Sequence, residues 1–153
     1  MNKLLGCFLY LLMILLTHSV SGAVSATEAG LNHAVLSVEK KWDQGTSCVF
    51  SLLLRNTSSF HISSVVPEVT AIIKDNVVYG TISEEFFELS PSNEQSKNIQ
   101  FLEISCEEII ALKVSIAGHC KMGPLHNMSS TSEECGKLIR VDESMLIDVS
   151  KGK

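Results

Sequence analysis

The sequence predicts an all-β fold, a single Greek-key sandwich of about seven strands closed by two disulfides. Three observations carry this. Short apolar runs of β-branched and aromatic residues recur along the chain, with turn residues about every 8–12 positions. No stretch keeps a helical period of apolar residues. Four cysteines lie beyond the N-terminal segment, an even number as a disulfide framework requires.

The N-terminal segment is a secretory leader rather than a strand. Lys3 supplies the positive charge, Leu4 to Leu16 form an apolar run, and small residues follow at His18-Ser19-Val20-Ser21-Gly22-Ala23-Val24-Ser25-Ala26. The run is shorter than the roughly 20 residues that a membrane span takes. Cleavage fits after Ala26 or after Ala23, and Ala26 is preferred. The expected organisation is a signal peptide over 1–26 and one β-domain over 27–153. Removing the leader takes Cys7 out of the 5 cysteines, which leaves Cys48, Cys106, Cys120 and Cys135. Of 12 Lys and Arg residues only Lys3 is lost, so 11 face 17 acidic residues, a net charge of −6. That balance argues against nucleic acid and anionic membrane as partners. No later segment is apolar for long enough to anchor the chain.

The strands follow in order. Ala34–Lys40 is apolar and β-branched, and Asp43-Gln44-Gly45-Thr46 turns the chain. In Cys48–Arg55, Cys48, Phe50, Leu52 and Leu54 share one face, the pattern of a strand on a core. Asn56-Thr57-Ser58-Ser59 is a turn. Val65–Lys74 is a third strand, and Pro67 near its start predicts an edge or a strand entry. Lys74-Asp75-Asn76 links it to a hairpin partner, Val77–Ile82. Phe86–Leu89 is a short apolar piece before the breaker Ser90-Pro91-Ser92-Asn93. Lys97–Ile104 is the fifth strand, and Ser105-Cys106-Glu107-Glu108 is a corner. Ile109–Ala117 is the sixth, with Ile110, Leu112, Val114 and Ile116 expected on one face and Lys113 and Ser115 on the other. The polar stretch 118–134 is a loop. Lys137–Val149 is a last strand or strand pair whose pattern slips at Asp142-Glu143-Ser144.

This order suits an immunoglobulin-like or fibronectin-III-like sandwich and selects a disulfide pairing. Cys48 opens the second strand and Cys106 sits in the corner between the fifth and sixth, so both fall at one end. Cys120 and Cys135 flank the long loop at the other end. The expected bonds are Cys48–Cys106 and Cys120–Cys135. Trp42, the single tryptophan, ends the first strand, so the tryptophan and disulfide arrangement of antibody domains is absent.

Catalytic and metal-binding chemistry have little support. The sequence has no Gly-x-Ser-x-Gly, no His-Glu-x-x-His and no phosphate loop. Glu84-Glu85 and Glu107-Glu108 are neighbours, and neighbours on a strand face opposite ways. His119, Cys120, His126 and Cys135 have irregular spacing for zinc, and an oxidising compartment favours pairing the thiols. No catalytic residue, metal or cofactor is expected. His33 and His61 fall in or beside strands, as structural histidines do. Asn56-Thr57-Ser58 and Asn127-Met128-Ser129 match the N-glycosylation acceptor pattern.

The expected activity is therefore protein binding. The loop carries Met122, Pro124, Leu125 and Met128, adaptable apolar residues on a segment pinned by the second disulfide. The Pro-bearing third strand and the broken last strand are a second candidate, as sheet edges.

The chain resembles the interleukin receptor mimic protein A family. The resemblance is carried by Cys48 opening a strand that runs into Arg55-Asn56, the acidic corner Cys106-Glu107-Glu108-Ile109, a strand ending at Cys120, and the strand order. Those are small secreted proteins of uropathogenic Escherichia coli. The resemblance implies a fibronectin-III-like domain, a strand-swapped homodimer, and binding of host interleukin receptors in imitation of a cytokine-receptor domain, a virulence-associated role. It carries over no individual binding residue. The competing expectation is a periplasmic accessory or structural protein of a secretion or surface-assembly system. The destination is accordingly secreted or periplasmic.

Overall fold

The computed structural model describes residues 33–116, 120–122, 137–144 and 146–152. The strands are β1 (Ala34–Gln44), β2 (Ser47–Asn56), β3 (Ile62–Val65), β4 (Glu68–Ile73), β5 (Val77–Ser83), β6 (Phe86–Leu89), β7 (Glu94–Phe101), β8 (Ile109–Ser115), β9 (Cys120–Met122), β10 (Ile139–Val141) and β11 (Asp148–Lys151). One sheet runs β10-β1-β2-β7, a second β11-β8-β4-β5, and a third β6-β3-β9. The all-β sandwich is as expected.

The two hairpins show why these residues turn where they do. Gln44 pairs with Ser47, and Gly45 at φ 64° supplies the left-handed backbone of that short connection. Between β4 and β5, Asp75 and Asn76 both take positive φ, 62° and 58°. The Val77 N–H donates to the Lys74 carbonyl. This is a type I′ turn, whose twist matches the strands it joins and which Asp and Asn tolerate.

Pro67 stands at a strand entry, one of the two places expected of it, and it splits the third expected strand. It is buried and sits between β3 and β4, and β4 is internal to its sheet, flanked by β5 and β8. A proline on a middle strand offers no N–H to either neighbour. The three chain paths there all break, and they resume in the same order as β6-β3-β9. Phe86–Leu89 is thus a true strand, which raises the count above seven.

The sixth strand needs a correction of facing. Ile73 pairs with Ile109 while Ile72 pairs with Ala111, a bulge that leaves Ile110 unmatched. Ile110 is therefore exposed, whereas Ile109, Leu112, Val114 and Ile116 are buried. The last strand is a pair, as its pattern slip allowed. β10 runs parallel to β1 and β11 parallel to β8, so the segment crosses from one sheet edge to the other. The Asp142 N–H donates to the Leu36 carbonyl, and the Lys151 ammonium to the Ile139 carbonyl at 2.7 Å.

The core fills the space between the sheets with Leu36, Phe50, Leu52, Leu54, Val69, Ile99, Phe101, Leu112, Val114 and Ile139. Phe50 and Phe101 meet edge to face at 6.1 Å. The Cys48–Cys106 disulfide forms as expected, with 4.7 Å between Cα atoms. Asp43 fastens the same corner by accepting the Cys106 N–H at 2.7 Å. Cys120 is also disulfide-bonded, and its expected partner Cys135 lies outside the described residues.

Candidate interaction surface

The hairpin that presents β5 also exposes most of its side chains. The sheet order leaves β5 with no strand on its far side among the described residues. Ile72 pairs with Val78 and Ala71 with Gly80, so Tyr79 is the extra residue of a bulge. The bulge frees its ring to reach across to the other sheet, where the hydroxyl donates to the Leu102 carbonyl at 2.6 Å. Val77, Val78 and Tyr79 are 51%, 59% and 40% exposed, and Leu102 is 64% exposed. Val78, Ile72 and Ala111 form one row across three strands, with exposed Ile110 next to it. These exposed apolar residues gather around the β5 edge, at the end of the sandwich that holds the β4–β5 turn and the disulfide corner.

Acidic residues rim it. Asp75 is in the turn, Glu103 follows Leu102, and Glu107 and Glu108 precede Ile109. The side chains of Asp75, Glu103, Glu107 and Lys74 make no ion pair or hydrogen bond among the described residues. Glu108 accepts hydrogen bonds from the Ser105 N–H at 3.0 Å and the Ser105 hydroxyl at 2.8 Å. The backbone bond, then the hydroxyl bond, hold its carboxyl below the ordinary value. A depressed carboxyl lends stability above its unfolded pKa that is lost as pH falls through the folded one. In Ser105→Ala the Glu108 midpoint should rise toward that of a free glutamate, read by side-chain NMR titration. An unchanged midpoint would remove the hydroxyl as a cause.

The remaining carboxylates do not converge. Glu84 pairs with the Lys97 ammonium at 3.4 Å, while Glu85 accepts from the Ser64 hydroxyl at 2.7 Å. His61 meets the exposed Glu88 at 3.2 Å. An open groove of about 310 Å³ lies beside β1 under the β10–β11 connection, lined by Val35, Val38, Arg55, Asp142, Glu143 and Leu146. Ser37, Glu39 and Ser144 line it too, and the Ser37 hydroxyl donates to the exposed Glu39 carboxylate at 2.7 Å, but no histidine is among its described lining residues. Among the described residues no group of three or more His, Cys, Asp or Glu could hold a metal ion. Cys120, one of the four irregularly spaced metal candidates, is a disulfide sulfur, and the other three lie outside the described residues.

The loop residues singled out by sequence fall almost wholly outside the described residues. Pro124, Leu125 and Met128 lie outside the described residues, and Met122 is described only as the backbone that closes β9 against Ile62. Asn56 is not the open turn residue of a glycan acceptor site. It is 0% exposed, and its amide donates to the Phe60 and Leu89 carbonyls at 2.8 and 2.9 Å. Sequence reasoning missed the β5 surface, although Val77–Ser83 holds no charge and no proline. Those are the usual guards of an edge strand.

No protein-family model matches the chain, and no curated protein sequence matches it. Among solved structures, IrmA from Escherichia coli aligns with a TM-score of 0.50 at 11% identity, over 73% of this chain and 92% of its own. At that identity the likeness is one of fold. It meets the family resemblance at the level of architecture and not of sequence. A β-glucosidase from Kluyveromyces marxianus in complex with glucose aligns over 52% of this chain and 10% of its own, at 16% identity and a TM-score of 0.36. A match that partial carries no argument.

Proposed function

We propose that the protein is an exported, non-enzymatic binding domain whose ligand is another protein, host interleukin receptors being the partners that the family resemblance implies. The observation that carries the reading is the uncharged β5 edge with its apolar surround of Val77, Val78, Tyr79 and Leu102. Exposed apolar side chains gathered at one edge of a small domain are a feature of interaction sites. The fold likeness to IrmA and the buried disulfide support the reading, since such bonds persist in oxidising compartments.

Two measurements test it together. Cell fractionation should place the processed protein in the culture medium, and immobilised protein should bind interleukin-receptor ectodomains saturably. Retention in the periplasm, with bacterial partners co-purifying and no receptor binding, would replace this reading with the accessory-protein one. Turnover by the purified protein, with a cleft residue abolishing it, would overturn the non-enzymatic part.

A further inference from the structure

We propose that β5 is a docking edge for an extended strand of a partner protein, and that this strand carries lysine or arginine at the end that lies beside the β4–β5 turn, next to an uncharged β-branched stretch. The inference rests on the protein-binding reading and names how the partner is held. Each strand has backbone N–H and C=O groups on both sides, and an edge strand leaves one set free to template another strand. The described edges are not equal in this respect. β10 and β9 have three residues each and carry Arg140 and Lys121. β11 and β6 have four each; β11 carries Asp148 and Lys151, and β6 carries Glu88 at φ 51°. β7 is long but holds Glu94 and Lys97, and the Lys97 ammonium covers the Phe87 ring at 5.2 Å. β5 alone combines seven residues with no charge. Its bulge at Tyr79 divides the edge and guards neither half with charge.

The rim decides between occupants. A second copy of this chain would bring Asp75 near the same acids of its neighbour in a parallel pairing, or near the Glu84–Glu85 end in an antiparallel one, on a protein that is already acidic. A strand with basic residues beside the β4–β5 turn meets the Asp75, Glu103 and Glu107 carboxylates with opposite charge. Such complementarity chiefly sets orientation and association rate, while the ladder and the contact with Val78 and Leu102 hold the strand.

The test uses two nine-residue peptides, Lys-Lys-Val-Thr-Val-Thr-Val-Lys-Lys and the same peptide with Glu for Lys, titrated into isotope-labelled protein and read by amide NMR. The lysine peptide should shift the 77–83 amides saturably, and the glutamate peptide should bind about tenfold or more weakly. Raising salt from about 50 to about 300 mM should weaken the lysine peptide. Val78→Lys changes an exposed side chain, so its spectrum should remain that of the folded protein while lysine-peptide binding falls. Shifts that map away from β5, equal binding of the two peptides, or no binding by either would overturn the proposal. So would concentration-dependent shifts of the β5 amides without peptide, the sign of self-pairing. Receptor binding retained by a Val78→Lys protein would remove the edge as the docking mode and leave the protein-binding reading standing.

Discussion

Replacing Cys48 and Cys106 together by alanine should lower the free energy of unfolding by about 4 kcal/mol. The bond joins residues 58 apart, and loop-closure entropy in the unfolded chain rises with the logarithm of that length. Alanine keeps both positions apolar, which matters because Cys48 and Cys106 are 0% and 4% exposed. A serine pair would add buried hydroxyls and confuse two effects. The corner would keep one tie, the bond from the Cys106 N–H to Asp43. The measurement is the denaturant midpoint of the double variant against the parent, with the slope monitored for any change in unfolded-state compactness. A loss under about 1 kcal/mol would mean that the unfolded chain already holds these ends together.

The size of that effect bears on where the protein can work. Small domains have total stabilities of about 5–15 kcal/mol. A chain that depends on one bond for about 4 of those is poorly suited to a reducing cytosol. The disulfide therefore calls for an oxidising compartment, as the leader expected from the sequence would. The same frame sets the β5 surface: Cys106 ends up beside Asp43, the corner that starts at Leu102 is pinned, and Tyr79 anchors β5 to that corner through the Leu102 carbonyl.

What could be read from the sequence follows the physics of alternation. β2 and most of β8 are legible because inward positions recur at every second residue and are filled by Phe50, Leu52, Leu54, Leu112 and Val114. The first disulfide was legible because strand order alone puts Cys48 and Cys106 at one end. Ile110 was not, since a bulge shifts facing by one residue and leaves no mark in composition. Pro67 announced an interruption without saying that the strand was central, because neighbours are set by tertiary pairing. The slip at Asp142–Ser144 showed that the last strand breaks. It could not show that its halves run parallel to β1 and β8. The β5 surface was hidden for a related reason. Val77, Val78 and Tyr79 have the composition of a core strand, and only the place of β5 at the end of its sheet exposes them. Asn56 carries the opposite lesson, a residue with turn chemistry that the fold encloses.

Asn56→Ala should cost about 3 kcal/mol, because the side chain is the hub of a closed polar network. Its amide donates to the Phe60 and Leu89 carbonyls, and its carbonyl oxygen accepts the Ser58 N–H at 3.1 Å and the Ser58 hydroxyl at 2.6 Å. Its own backbone bonds Ser92 and Asn93. Alanine leaves buried donors and acceptors without partners, each worth about 1–3 kcal/mol. Asn56→Asp should cost more, since a carboxylate cannot donate and would face two carbonyl oxygens in a buried site. Ser58→Ala removes one spoke and should cost about 1 kcal/mol. Thermal or denaturant unfolding of the three variants should rank them Asp, Ala, Ser58→Ala from least to most stable. An Asn56→Ala protein within about 1 kcal/mol of the parent would show that water replaces the network. The same geometry forbids modification, as an amide that gives both hydrogens to main-chain carbonyls is closed to a glycan in the folded state. Mass spectrometry of folded protein exposed to a glycosylating extract should therefore find Asn56 bare, while unfolded chain remains open to the reaction.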